Sequence, residues 1–447
     1  MPRSINKEQI LKCAVAMILF AMFAFQAMAL RGIFADGSYQ LLNLLLFEQN
    51  PSANGSLFAE LVTRNNEPSR FFAYILMEFP TVIALRLGMT DLKGLMYLFS
   101  SWLQLAPLLL WGLAFWKLRR DFLFWPFLAM FTAVYFNGNF FSIGEFNVTF
   151  GLTAACLAYI LKPERITKVD TAMLSAAAIA SVMSYGSTMF FGVLLCGLTL
   201  WRFRQDRRIL WLPLAAIFLA SAGVGLWNYL NPTQPENLAS ASNPLLLLHD
   251  PQLWFTFVFV ALIAPIAMVR DAQWRSAFIL ALFISIIGFL LMGLHAPPFV
   301  DYMARAFTAM GFLALAIALC WFELFGKKRF PALKKLETNP WQYFALPTFA
   351  LFTLMCVLDI GDSIEFRAYI DDFSRVVNSH HGLLRYEDSI MFLPNNNLYG
   401  WTWTYPTMAL LLRENTDKAV VIEPWFQKGR WQPFDPRTYV PDLSPYY

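Results

Sequence analysis

Asp36 stands just past the first apolar run, in the segment Ala35-Asp36-Gly37-Ser38-Tyr39. An acid where a membrane helix meets water is costly to place without a role. Within hydrogen-bond reach of a hydroxyl group, such a carboxylate can act as a general base. It also suits the start of the helix that follows, because Asp is a favoured cap. Tyr39, in the same segment, is a candidate for substrate contact. Glu145 is the second candidate acid, in the aromatic stretch from Asn137 to Asn147. Burying it without a partner would be expensive. It therefore needs a cation, a divalent metal being one choice, unless water solvates it. Arg64 and Arg70 flank Asn65–Ser69, and Arg305 follows Asp301 by four residues. Guanidinium groups grip phosphate in a forked geometry. The bland alternatives are headgroup anchoring, pairing of Arg64 or Arg70 with Glu60 or Glu67, and a helical Asp301–Arg305 pair. Read together, the acids and arginines point to chemistry on a lipid-linked phosphate.

The elements that must position these residues are greasy. Of 447 residues, 58% are hydrophobic and 14% charged, with 44 Phe and 15 Trp. A soluble chain carries about 25% charged residues. Apolar runs near 10–29, 94–116, 121–136, 147–161, 171–185, 189–202, 209–230, 252–269, 276–294, 302–324 and 341–359 approach the length needed to cross a bilayer. The expected fold is mainly α, a polytopic membrane protein of about 11 spans. Ser184-Tyr185-Gly186-Ser187 reads as the turn between two short spans. Ile10–Leu30 is too long for the apolar part of a signal peptide, so it reads as an uncleaved first span despite the Ala27-Met28-Ala29 mimic of a cleavage site.

Charge sets the expected orientation. The basic residues of the N-terminus, 117–120, 162–168, 202–208, 270–275 and 327–335 all fall on one side. The other side receives Arg31, Arg64, Arg70, Arg86 and Lys93, all from one loop. The bias predicts a cytoplasmic N-terminus and an external loop over 30–92. Two stretches of that loop, about 38–48 and 69–87, read as helices lying in the membrane interface. After Asp359 the composition turns polar. Residues 360–447, with a strand at Ala419–Ile422, read as a small α+β external domain beside the membrane domain 1–359.

Other classes lose ground. The basic residues lie in short separated loops, which argues against nucleic-acid binding. No Walker A, GxGxxG or HExxH pattern is present. Cys13, Cys156, Cys196, Cys320 and Cys356 sit within apolar runs without metal spacing. His249, His295, His380 and His381 read as surface groups. Asn147-Val148-Thr149 matches a glycosylation sequon at a span edge and reads as chance.

The layout resembles the GT-C superfamily of polytopic glycosyltransferases. Asp36 matches the acid early in the first external loop, 38–48 and 69–87 match its membrane-lying helices, and Glu145 matches the second-loop acid of some members. The stretch Ala84–Tyr97 is similar to the entry into the second span. Arg70-Phe71-Phe72-Ala73-Tyr74 stands where many bacterial members carry a His-Pro-Pro-Leu-type segment. The resemblance implies a bacterial inner-membrane enzyme with its site facing the periplasm. It implies a polyprenyl-phosphate-linked sugar donor and inverting transfer with Asp36 as base. Arg64, Arg70 or Arg305 would neutralise the lipid phosphate, and Glu145 would ligate a divalent cation if one binds. Two other readings stand beside it. One is a transporter or flippase for a lipid-linked or anionic compound. The other is a non-catalytic assembly subunit whose 360–447 segment binds a protein partner.

Overall fold

The computed structural model describes residues 7–34, 36–49, 70–138, 144–162, 166–231, 301–326, 345–385, 388, 404–422 and 440–447. They are mostly helical. In chain order the helices are α1 (Lys7–Met28), α2 (Asp36–Gln49), α3 (Phe71–Arg86), α4 (Leu92–Leu118), α5 (Phe124–Gly138) and α6 (Glu145–Leu161). Then come α7 (Lys168–Ser181), α8 (Thr188–Asp206), α9 (Trp211–Leu230), α10 (Asp301–Trp321), α11 (Leu346–Ser379) and α12 (Tyr405–Leu412). Strands β1 (Leu383–Arg385) and β2 (Val420–Ile422) pair in parallel, with Leu383 opposite Val420. The strand expected at 419–422 and the turn expected at 184–187 are both present.

Among the described residues, α1, α4 and α9 are long and apolar enough to cross a membrane. Helices α5 and α6 and the stretch Gly311–Leu324 are apolar but shorter. The expected spans 252–269 and 276–294 lie outside the described residues.

Helix α6 is the axis of the bundle. All 17 of its residues are buried, packed by α3, α4, α5, α7, α8 and α10. Aromatic rings knit the surrounding helices. Phe312 of α10 meets Phe150 of α6 at 5.2 Å, Phe191 of α8 at 5.0 Å and Trp111 of α4 at 6.1 Å. Each such pair adds roughly 0.5–1.5 kcal/mol beyond area burial. The sequence starts its helices with local caps. The Asp91 carboxylate accepts from the Lys93 and Gly94 backbone N–H groups. Thr167 and Asp170 form a reciprocal capping box on α7.

Two features bear on the expected layout. Across the change of character at Asp359, α11 runs unbroken from Leu346 to Ser379. Its residues 359, 363, 366 and 367 share one face, and that face docks on the segment after α1. Arg31, counted above among external loop charges, is buried there. Its Nη1 donates to Asp359 Oδ1 at 2.7 Å and to Ser363 Oγ at 3.0 Å. Gln26 Nε2 donates to the other Asp359 oxygen at 2.7 Å. Phe34 packs edge-on against Phe366 at 5.5 Å, and Arg367 donates to the Met28 carbonyl and to Tyr97 Oη. The other feature concerns α2. Leu41, Leu42, Leu44 and Leu45, expected to lie on a bilayer, are covered by protein. These leucines point to more than one side of the helix, and α12 and α4 pack against it.

Two predictions follow from this frame. Asp359→Leu leaves the Arg31 charge buried without its carboxylate and should lower unfolding free energy by about 3–5 kcal/mol. The pair Arg31→Met with Asp359→Leu should cost less than that single change. Denaturant unfolding in detergent micelles measures both. The second concerns acid sensitivity at the α7 cap. Burial pushes the Asp170 carboxyl up, but the Thr167 backbone N–H and the Lys117 ammonium outweigh it and hold it below the usual carboxylate range. Its stabilising effect is therefore present at neutral pH and is lost as pH falls through that lowered value. Asp170→Asn should make the melting temperature fall less steeply than wild type on acidification below about pH 4.

Candidate functional site

The segment linking α1 to α2 is folded too tightly to vary. Leu30 adopts a left-handed conformation (φ 58°) and starts a 3₁₀ turn, Arg31–Ile33. The Gly32 N–H donates to Ser100 Oγ at 2.9 Å, and a Cβ at Gly32 would fall 2.6 Å from Ser100 Cα. A Cβ at Gly37 would fall 1.8 Å from the Gly32 carbonyl oxygen. Both glycines are therefore required by close backbone approach. Asp36 is held between them and α2, as the first residue of that helix and half-buried. Helix starts favour negative charge there.

Glu145 begins α6 directly after Gly144 (φ 36°). Its side chain is 1% exposed and accepts from Arg70 Nη1 at 3.2 Å. Arg70 lies just before α3 and also stacks over the Tyr185 ring at 5.3 Å. The Phe72 N–H donates to the Met183 carbonyl at 2.9 Å, which ties the start of α3 to the α7–α8 turn. The guanidinium is thus set between a buried carboxylate and an aromatic face, an arrangement that a lysine could not reproduce.

One leucine lies against the glycines next to the two acids. A Cβ at Gly37 would lie 3.6 Å from Leu103 Cδ1, and one at Gly144 would lie 3.4 Å from Leu103 Cδ2. Asp36 and Glu145, more than a hundred residues apart in sequence, therefore follow or precede glycines packed on two methyl groups of one side chain. The Gly144 position also meets Met77 Sδ at 3.0 Å. That brings α3 to the same place, with Glu78 beside Met77 and buried at 2%.

The other expected site residues divide as follows. Tyr39 is half-buried on α2. Arg64 lies outside the described residues, as does the side chain of Arg305, whose backbone belongs to α10. Among the described residues no three His, Cys, Asp or Glu side chains stand close enough to hold a metal. The Glu145 carboxylate, expected to be the likeliest ligand of a cation, faces Arg70. The sequon cannot act in the folded chain, since Asn147 and Thr149 are 1% and 0% exposed. A cleft of about 500 Å³ opens between Glu48, Leu85, Met89, Asp442 and Tyr446. Neither Asp36 nor Glu145 nor Arg70 lines it.

Sequence reasoning missed Tyr185 and Arg31 as members of this region. Tyr185 carried a turn signal and no more. Arg31 carried a usable one, because an arginine next to an apolar run needs a partner, and Asp359 at the end of another run supplies it.

The tail covers α2 from one side. Ser38 Oγ and Thr407 Oγ1 share a buried hydrogen bond at 2.7 Å, and Tyr446 Oη donates to the Leu45 carbonyl at 3.1 Å. Comparison with protein-family models, curated proteins and solved structures finds no match for this chain.

The glycine geometry yields a paired expectation. Gly37→Ala drives a methyl group into the Gly32 carbonyl and should destabilise the protein by more than about 3 kcal/mol. Gly112→Ala, within α4 and with nothing inside 4 Å, should gain about 0.5–1 kcal/mol. Fluorescence size-exclusion profiles after a heat challenge rank the two against wild type.

Proposed function

We propose that this protein is a membrane glycosyltransferase that moves a sugar from a polyprenyl-phosphate donor to a lipid, glycan or protein acceptor. The observation that carries this reading is the convergence on Leu103. The glycine beside a half-buried carboxylate at one helix start and the glycine beside a buried, arginine-paired carboxylate at another both pack on that leucine from distant parts of the chain. The apolar helices and the charge bias along the sequence support a multi-pass chain in a bacterial inner membrane, with this end toward the periplasm. The outward face of α3, with Phe79, Ile83 and Leu87 exposed, suits a helix resting against lipid.

In the proposed reaction an acceptor hydroxyl oxygen attacks the anomeric carbon. The bond from that carbon to the phosphate oxygen breaks, and configuration inverts. The hydroxyl proton passes to Asp36. The polyprenyl phosphate leaves with one more negative charge than it carried as a diester. Arg70, joined by Arg64 and Arg305, opposes that charge where it develops. Glu145 holds Arg70 in place. Thr407 and Tyr446 of segment 360–447 contact α2, and that segment offers a surface to a protein acceptor or partner.

Asp36→Asn tests the reading. The variant should insert, fold and bind polyprenyl phosphate as wild type does, while sugar transfer from a labelled polyprenyl-phosphate hexose falls about a hundredfold or more. Undiminished transfer removes Asp36 as base. Movement of intact labelled lipid across sealed vesicles, with no covalent change, would favour the transporter instead.

A further inference from the structure

The cleft lined by Glu48, Leu85, Met89, Thr90, Asp442 and Tyr446 lies apart from the candidate base. Asp36 opens α2 and Glu48 is its last residue but one, so about 18 Å of helix separates them. The surrounding helices set the depth of the cleft. Helices α1 and α4 run antiparallel. Lys12 donates to the Arg119 carbonyl at one end, and Arg367 donates to the Met28 carbonyl and to Tyr97 Oη at the other. The exposed apolar residues of α1 run from Ile10 to Met28, about 27 Å of helix, against a hydrocarbon core of about 30 Å. In a membrane crossed by α1, Met28 and Tyr97 therefore mark one edge of that core. Leu92, where α4 begins, stands about 7.5 Å beyond Tyr97, and Met89 and Thr90 come just before it. The polar layer on each side of a bilayer is about 5–8 Å deep. That depth places the cleft among lipid headgroups.

An apolar path leads from the cleft toward the core. Helix α3 runs back beside α4, since Trp102 Nε1 donates to the Leu76 carbonyl at 2.6 Å while Met89 reaches Gly94. Phe79, Ile83 and Leu87 are exposed and stand four residues apart, on one stripe of α3. That stripe begins beside the cleft and descends toward the level of Leu76. Arg86 precedes Leu87, and its Nε stands 3.7 Å from Glu48 Oε2, too far for a hydrogen bond.

The lining narrows the ligand. Glu48 and Asp442 bring two carboxylates and Thr90 a hydroxyl, while Leu85, Met89 and Tyr446 bring apolar surface. Burial and then the Glu48 carboxylate push the Tyr446 hydroxyl up, which sets that acid close to the ring. The Ser444 backbone N–H, donating at 2.8 Å, holds the Asp442 carboxyl below the usual range. A cleft of about 500 Å³ is far larger than a metal ion needs, and a hard cation takes six or more oxygen ligands. A primary ammonium carries donors only and matches the carboxylates and the hydroxyl, and a short methylene arm suits Leu85 and Met89. A quaternary ammonium has no N–H to give and prefers an aromatic cage, of which the lining holds one ring. A guanidinium such as Arg86 grips phosphate. We propose that this cleft seats the head of an aminoethyl phospholipid, its ammonium on Glu48 and Asp442, its phosphate toward Arg86 and its acyl chains along α3. The bound lipid ties the tail to α2 and to the α3–α4 turn, too far from Asp36 to serve as acceptor. The inference does not depend on the transferase reading.

Full-length protein in detergent micelles is titrated with phosphatidylethanolamine, phosphatidylglycerol, phosphatidylcholine, soluble phosphoethanolamine and calcium, and binding is followed by thermal stabilisation. Wild type should bind phosphatidylethanolamine about tenfold tighter than either other lipid. Glu48→Gln should remove most of that preference, at little cost to the fold because the Glu48–Arg86 pair is long and partly exposed. Asp442→Asn keeps an acceptor for the Ser444 N–H and should weaken the preference in the same direction. Equal binding of the three lipids by wild type, or a preference that survives both substitutions, overturns the proposal. Stabilisation by soluble phosphoethanolamine or calcium that matches the lipid also overturns it, because the cleft then takes a small cation and not a membrane lipid. A preference present in wild type and lost in Glu48→Gln upholds it, whether or not the protein transfers sugar.

Discussion

The buried Arg31–Asp359 pair is the interaction on which the arrangement of this chain depends. Neither charge can remain in an apolar interior alone, so helix α11 and the turn after α1 must meet at one register. Gln26 and Ser363 take up further valences of the pair. An apolar contact could hold the two helices as firmly, yet it would tolerate sliding by a turn. Four residues separate Arg31 from Asp36. Gly32, the first of them, is fixed on Ser100, and Gly37, just past Asp36, is fixed on Gly32 itself. The position of the candidate base is thus inherited from an ion pair made by the other end of the molecule.

A second constraint comes from α6. A helix buried all round presents no face to lipid or water, so any polar residue on it must be satisfied within the protein. Glu145 meets Arg70, and the threonines turn back on their own helix. Asn147 is buried on the same helix. Polar groups therefore gather at the one end of α6 where α2, α3 and α4 also come together, and the remaining length is aromatic and aliphatic. That division is what a protein handling a polar head on an apolar tail requires.

Much of the helical layout was legible in the sequence because apolar runs and local caps are local signals. The starts of α4 at Asp91 and of α7 at Thr167, the bend at Ser184–Ser187 and the strand at Val420–Ile422 all follow from residues within a few positions of one another. Long-range pairing was not legible. Asp359 read as the edge of a span and Arg31 as a loop charge, because composition gives no hint of which distant segment each would meet. The α2 leucines misled for a related reason. A stripe of leucines looks the same whether lipid or protein covers it, and here Thr407 and Tyr446 arrive from the far end of the chain. Asp36, Glu145 and Arg70 were found by residue type and position, but that Glu145 would spend its charge on Arg70 depended on the fold of the α7–α8 turn.

The covering of α2 by the tail bears on how the site can work. A carboxylate serves as base most effectively where water is excluded and its neighbours are already oriented. Asp36 lies at the start of a helix whose Ser38 is sealed by Thr407 and whose Leu45 carbonyl is held by Tyr446. The C-terminal segment therefore contributes to the candidate site by fixing the helix that carries its base. Because α11 leads into that segment without a break, any shift at the Arg31–Asp359 pair would be transmitted along one rigid helix toward the tail that covers α2. Membrane anchor, candidate base and cover are in this sense a single mechanical unit, closed at one end by an ion pair and at the other by hydroxyl contacts.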